Sequence, residues 1–247
     1  MLKYCSFYLL LIFFVSTTMV KDHLYKLFPQ QNQDFLLHSP SKHSSPPSDS
    51  TTMINKDIPD VIRPQVEKAL SFYPDLKDVP ITVKFKKKIK KSTMQAQPKF
   101  LSIFRNRHKR SYVILISETF QIEDDSFEIL DMEDEVMIGW LGHELGHIMD
   151  YKHRSGIGMV IFGIKYLFSK KHIREAERTA DAYAIEHGMG EYIIATKNFI
   201  LNNSDISEIY KERIRKLYLS PEEIMDMLNE LEEDEIKEEI DDEMRIK

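Results

Sequence analysis

The chain has 247 residues, a net charge of −6 and 42% hydrophobic residues, enough for one domain with a real core but not two catalytic domains. Its single cysteine, Cys5, excludes a disulfide framework and thiol chemistry in a mature chain lacking the first segment. The charge is segregated: residues 84–110 carry eleven Lys or Arg and no acid, and residues 222–247 carry thirteen acids and three bases.

Residues 1–20 place Lys3 before an apolar run from Phe7 to Val15, then Ser16, Thr17 and Thr18. This order is expected of a signal peptide or an uncleaved membrane anchor, with the rest of the chain exported to the cell envelope or secreted. Residues 21–56, rich in Ser, Pro, Gln and Asn, read as a flexible linker. The compact domain is expected over residues 57–220, with an acidic, helical tail over 221–247.

A first helix is expected from Val61 to Tyr73, starting or breaking at Pro64. Ile81 to Ile89 alternates Ile81, Val83 and Phe85 and predicts a strand. Phe100 to Phe104 is a second candidate, and Tyr112 to Ser117, short and β-branched, is the clearest. Lys84, Lys86, Lys87, Lys88, Lys90 and Lys91 are expected on a solvated hairpin and loop. Contact with lipid or with the acidic tail is the next reading of that stretch, and no nucleic acid is expected, because aromatic residues are sparse in it.

Helices are expected over Glu133–Tyr151, His172–His187 closed by Gly188, Glu191–Leu201, Ile206–Leu219, and from Pro221 with Ser220 as its cap. Residues 157–168 are apolar but short and contain Lys165; they predict a surface or membrane-dipping helical hairpin in preference to a full span. One helix, a small sheet and then helices make an α+β domain.

Residues 142–147 read Gly-His-Glu-Leu-Gly-His. His143 and His147, four apart, leave one face of a helix, so two ring nitrogens can reach one zinc ion. Glu144, about 100° round the helix, flanks that ion where a general base belongs. On the helical wheel Val136 and Trp140 share the histidine side, and Met137, Leu141, Leu145, Ile148 and Met149 face away. The helix is therefore expected to be packed on one side and open to a cleft on the other.

A catalytic zinc needs a third protein ligand. His153 and His172 are possible, and Glu175 competes for a role. The stronger candidate is Glu177, with Asp181 one turn on and Ala176, Ala180 and Ala184 beside them. Small residues let two helices approach closely. Asp181 could then accept a hydrogen bond from the second nitrogen of His143 and orient its ring.

GHELGHIMD followed by AERTADAYA resembles the gluzincin metallopeptidases of peptidase family M48, the group of CAAX-proteases, heat-shock HtpX-like proteases and periplasmic chaperone-proteases, or a minimal relative of them. The resemblance spans roughly residues 60–200. It implies a zincin-like fold, zinc on His143, His147 and Glu177, Glu144 as the base, and Asp181 in support. It also implies that Tyr112–Ser117 is a rim strand whose free edge pairs with extended peptide substrate. The lack of several hydrophobic spans departs from the integral-membrane members and disfavours prenyl-protein processing.

Together these features predict a zinc-dependent endopeptidase acting on proteins or peptides, with peripheral membrane contact as a possible addition. An aminopeptidase or short-peptide hydrolase is the enzymatic alternative, and an idle zinc-fold interaction module the other. His187, Tyr183, Arg213 and Arg215 are candidates by chemistry for a hydrogen-bond donor to the reaction's oxyanion, each with ordinary packing as its simpler reading. Trp140 is expected to shape the cleft wall.

Overall fold

In the computed structural model, residues 54–245 are described, apart from 88, 90, 91, 123, 124, 204 and 205. The signal or anchor segment and most of the linker lie outside the described residues, as do Lys88, Lys90 and Lys91.

The order is β1 (Lys56–Asp57), α1 (Arg63–Ser71), β2 (Ile81–Lys86), β3 (Met94–Pro98), β4 (Tyr112–Ser117), β5 (Thr119–Ile122), β6 (Asp125–Glu128), α2 (Asp134–His153), α3 (Gly156–Phe168), α4 (Lys170–Glu186), α5 (Gly190–Asn202), α6 (Glu208–Leu217) and α7 (Pro221–Arg245). This is an α+β fold with a small open sheet and several helices. The helix expectations hold to within a few residues. Pro64 lies in the first turn of α1, where its missing N–H has no partner to lose. Gly188 takes a φ of 79° just past α4, and its N–H bonds to the Ile185 carbonyl at 2.9 Å. Ser220 and Glu223 cap α7 reciprocally: Ser220 Oγ accepts from Glu223 N at 3.2 Å, and Glu223 Oε2 accepts from Ser220 N at 2.9 Å.

The four-stranded sheet runs β1-β2-β4-β3, with β1, β2 and β4 parallel and β3 antiparallel to β4. Two expectations are corrected here. Phe100–Ser102 is a 3₁₀ turn, and the strand is Met94–Pro98. Tyr112–Ser117 is a strand, but β2 and β3 flank it, so it has no free edge. The edge belongs to β3, where Ala96 pairs Ile114. The strand is legible in hindsight: Met94 and Ala96 are buried, while Gln95 and Gln97 are half-buried. Pro98 ends the edge without a donor. Two short elements, β1 and the β5–β6 hairpin, had no clear signal.

Helix α2 is the centre of the domain. Every residue from Val136 to Tyr151 is buried, against α1, α4, α5 and β3. The expectation of one open side is therefore corrected. The reason lies in the small residues. A Cβ on Gly146 would meet the Ala180 carbonyl oxygen at 2.3 Å, and one on Gly139 would meet the Tyr192 oxygen at 2.1 Å. Glycine lets α4 and α5 lie directly on the side that the wheel left open. Full burial of Leu141, Leu145 and Ile148 contributes about 1.5–3 kcal/mol each.

The basic stretch is solvated at Lys84, Lys86 and Lys87, as expected. Arg110 is the exception, at 1% exposure. Its Nη1 donates to the carbonyls of Tyr151 at 2.8 Å and Arg154 at 3.1 Å. A cation there closes the C-terminal end of α2 and complements its dipole.

The membrane expectation is also corrected: among the described residues no helix is long and apolar enough to cross a membrane. Residues 157–168 fall in α3, a 13-residue helix that is one piece and not a hairpin. At 1.5 Å per residue it spans about 20 Å, short of a hydrocarbon core of about 30 Å.

Candidate functional site

Helices α2 and α4 cross at the Gly146–Ala180 contact. One turn of each helix on either side of that contact carries the candidate site residues. His143 and His147 project from α2, and Glu177 and Asp181 from α4; all four are buried. Glu177 Oε2 lies 3.2 Å from His143 Nε2 and 3.3 Å from His147 Nε2. These three residues are the one His/Cys/Asp/Glu group among the described residues whose atoms could jointly hold a metal ion. Asp181 Oδ1 lies 2.8 Å from His143 Nδ1.

The protonation pattern shows what the cluster accommodates. A carboxylate only accepts, so Nδ1 of His143 carries the hydrogen and Nε2 presents a lone pair in the neutral ring. That lone pair faces the Glu177 oxygen, and two lone pairs at hydrogen-bond distance repel unless a proton or cation lies between them. Burial opposes charge on His143, but Asp181 and then Glu177 outweigh it and push the imidazole up to about 10. Burial likewise opposes ionisation of Glu177, yet hydrogen bonds from both imidazoles hold it well below the usual carboxylate range. A positive charge at this point is what the Glu177 and Asp181 carboxylates stabilise.

The spacing agrees with a metal. A tetrahedral ion with bonds of about 2.0–2.2 Å sets its ligand atoms about 3.3–3.6 Å apart, close to both measured N···O separations. The His-His-Glu cluster could therefore chelate a divalent ion.

Glu144, one residue past His143, points toward the sheet. Its Oε2 accepts the backbone N–H of Ala96 on the edge of β3. Burial pushes its carboxyl up, opposed by His147 and His143. A carboxyl poised closer to neutrality than usual is suited to taking and returning a proton.

Asp181, fully buried, is the node behind the cluster. Besides His143, its oxygens accept from Lys197 Nζ at 3.0 and 3.2 Å and from the Leu219 backbone N–H at 3.0 Å. Burial raises its pKa, but Lys197 and then His143 bring it below the usual range. Lys197 is itself buried and stands 4.2 Å from the centre of the Tyr218 ring. A signal for it existed. Lys197 falls between Ile193 and Ile200 at helical spacing, on the face that packs inward.

The tyrosines near the site had no comparable signal. Tyr166, on α3, donates its hydroxyl to Glu177 Oε1 at 2.6 Å. Tyr218, just past α6, lies 5.4 Å from His143, ring centre to ring centre. A cavity of about 20 Å³, room for one water, is lined by Trp140, His143, Glu144, Lys197, Tyr210 and Tyr218. Trp140 lines this small cavity, where the wall of an open cleft was expected.

The alternative residues lie elsewhere. His153 stacks on Tyr183, and His172 and Lys171 contact Glu175 on α4. His187 stacks on Tyr73 with ring centres 4.5 Å apart and donates from Nδ1 to the Tyr183 carbonyl. Arg215 pairs with Glu208 and Glu212. Arg213 is near enough to lower the pKa values of Tyr166, Tyr210 and Tyr218 electrostatically.

No known protein family, curated protein or solved structure matches this chain.

Proposed function

We propose that this protein is a zinc-dependent endopeptidase with a zincin-like domain over residues 57–220, of the gluzincin type that its GHELGH and AERTADAYA segments resemble. The observation that carries the reading is the convergence of His143 Nε2, His147 Nε2 and Glu177 Oε2 on one point, with Glu144 beside it. Two imidazoles and one carboxylate are a donor set that suits zinc and leaves a fourth position open. Zinc bound there would supply Lewis acidity, lowering the pKa of a water and polarising a peptide carbonyl.

The chain's own groups do the rest. Glu144 takes a proton from the attacking water at a carboxylate oxygen and passes it to the leaving amine nitrogen. Asp181 holds the Nδ1 hydrogen of His143 and so fixes the tautomer that leaves Nε2 free to bind. Tyr166 orients the Glu177 carboxylate through Oε1 and leaves Oε2 for the ion. The free edge of β3 lies against Glu144. It offers the Met94 N–H and the Ala96 and Pro98 carbonyls, the alternate positions not used by β4, to an extended substrate backbone. Main-chain pairing of that kind favours protein and peptide substrates. Export of the chain rests on the order of residues 1–20 alone.

Chelator treatment tests the reading. Cleavage of an unfolded protein should stop with a strong zinc chelator and return with one equivalent of zinc. Cleavage indifferent to the chelator contradicts it.

A further inference from the structure

Only the first part of α7 packs on the domain. Ile224 is buried, and Leu228 and Leu231 pack against the core. Beyond Leu231 the helix continues to Arg245, about 20 Å further, as an acidic rod. Glu232, Glu233, Asp234, Glu235, Glu238 and Glu239 are exposed on it, with Lys237 beside Asp234 and Glu233. Like charges one turn apart oppose a helix. Among these acids runs a line of apolar side chains, Ile236 (56% exposed), Ile240 (51%) and Met244 (63%), four residues apart and so on one face.

The opposite surface exists on the same chain. Past the end of β3, Leu101 and Phe104 are 75% and 72% exposed, and Phe104 meets the Phe100 ring edge-on at 5.9 Å. Exposed Arg105, Arg107 and Lys109 follow within five residues of Phe104, and Lys99, whose Nζ donates to Thr82 Oγ1, precedes Leu101 by two. One surface is an apolar line in an acidic field, and the other an apolar patch in a basic field. Two α7 helices would repel each other, whereas α7 and the patch attract and each covers the other's apolar side chains.

We propose that the second half of α7 docks on the Leu101–Phe104 patch of a second copy of this chain. The contact is heterologous, so each copy has one helix to give and one patch to receive, and association proceeds head to tail. The patch begins three residues past Pro98, so a docked helix lies at the end of the strand edge beside Glu144.

Sedimentation equilibrium of the full chain tests this, with Ile240→Glu and Phe104→Asp variants whose melting temperatures are checked against the parent. The parent should self-associate beyond a dimer. That association should weaken at least tenfold when salt shortens the screening length from about 10 Å to about 3 Å. Each variant alone should be monomeric. An equimolar mixture of the two retains one intact helix and one intact patch, and should form a one-to-one pair and nothing larger. A parent that stays monomeric at its highest attainable concentration overturns the proposal. So does association that survives in either variant, or a mixture that remains monomeric.

Discussion

Asp181 Oδ1 lies 2.8 Å from Nδ1 of His143, on the side of the ring away from Glu177. This contact sets which nitrogen of His143 is available. An Asp181→Asn carboxamide is uncharged and can turn its NH₂ toward the ring, so it no longer enforces the tautomer. Zinc affinity in a chromophoric competition assay should fall about 10–100-fold, with helical content unchanged. Unaltered affinity would show that the carboxylate has no part in preparing the ring.

Lys197 neutralises Asp181 inside the protein, at 5% side-chain exposure against 0%. Lys197→Met preserves most of the volume and removes the charge, leaving Asp181 ionised with His143 and one backbone N–H as its remaining donors. Breaking a buried pair from one side costs about 3–5 kcal/mol, which urea unfolding would detect as a lower midpoint at constant slope. A loss within the range of an ordinary surface substitution would contradict the assigned pairing.

Gly146 and Gly163 provide a matched comparison. A methyl at Gly146 strikes the Ala180 carbonyl, whereas one at Gly163 on α3 meets nothing within 4 Å. Gly146→Ala should lose about 1–3 kcal/mol by overpacking, and it should weaken zinc binding because the displaced helix carries Glu177. Gly163→Ala should gain about 0.5–1 kcal/mol from helix propensity and leave zinc affinity alone. Equal effects at the two positions would count against the close crossing of α2 and α4.

The site was legible in the sequence because its residues obey helical spacing. His143 with His147, and Glu177 with Asp181, are each one turn apart, and a helix was expected under both. Their joining across α2 and α4 could be anticipated from Ala180 but not measured. What could not be read comes from tertiary structure. Tyr166 arrives from α3 and Tyr218 from the end of α6, and no local pattern aims either ring at the cluster. β3 was hidden because Met-Gln-Ala-Gln-Pro is poor in β-branched residues, although its period of two was present. The burial of α2 on all sides was missed because the wheel ranks residues by polarity, and the covered side is made of glycine and site residues.

Stability should fall on acidification below neutrality in part through His187. Burial pushes its imidazole below the ordinary value, against the hydrogen bond it donates to the Tyr183 carbonyl. The neutral ring therefore belongs to the folded state. Its contribution is complete above the unfolded value of about 6.5 and is lost as the pH falls toward the lower folded value. Thermal unfolding between pH 7 and pH 5 should show a shallower decline for His187→Gln than for the parent. Parallel declines would remove His187 from the acid response.

The most direct test of the account is Glu144→Gln, with metal content and cleavage of an unfolded protein measured on the same preparation. The side chain keeps its size and can still accept the Ala96 N–H, but it can no longer take a proton. One zinc per chain should be retained, and cleavage should drop by a factor of about 100 or more. Cleavage at the parent's rate, or a preparation of the parent that binds no zinc, would contradict the assignment of His143, Glu144, His147 and Glu177 as a metallopeptidase centre.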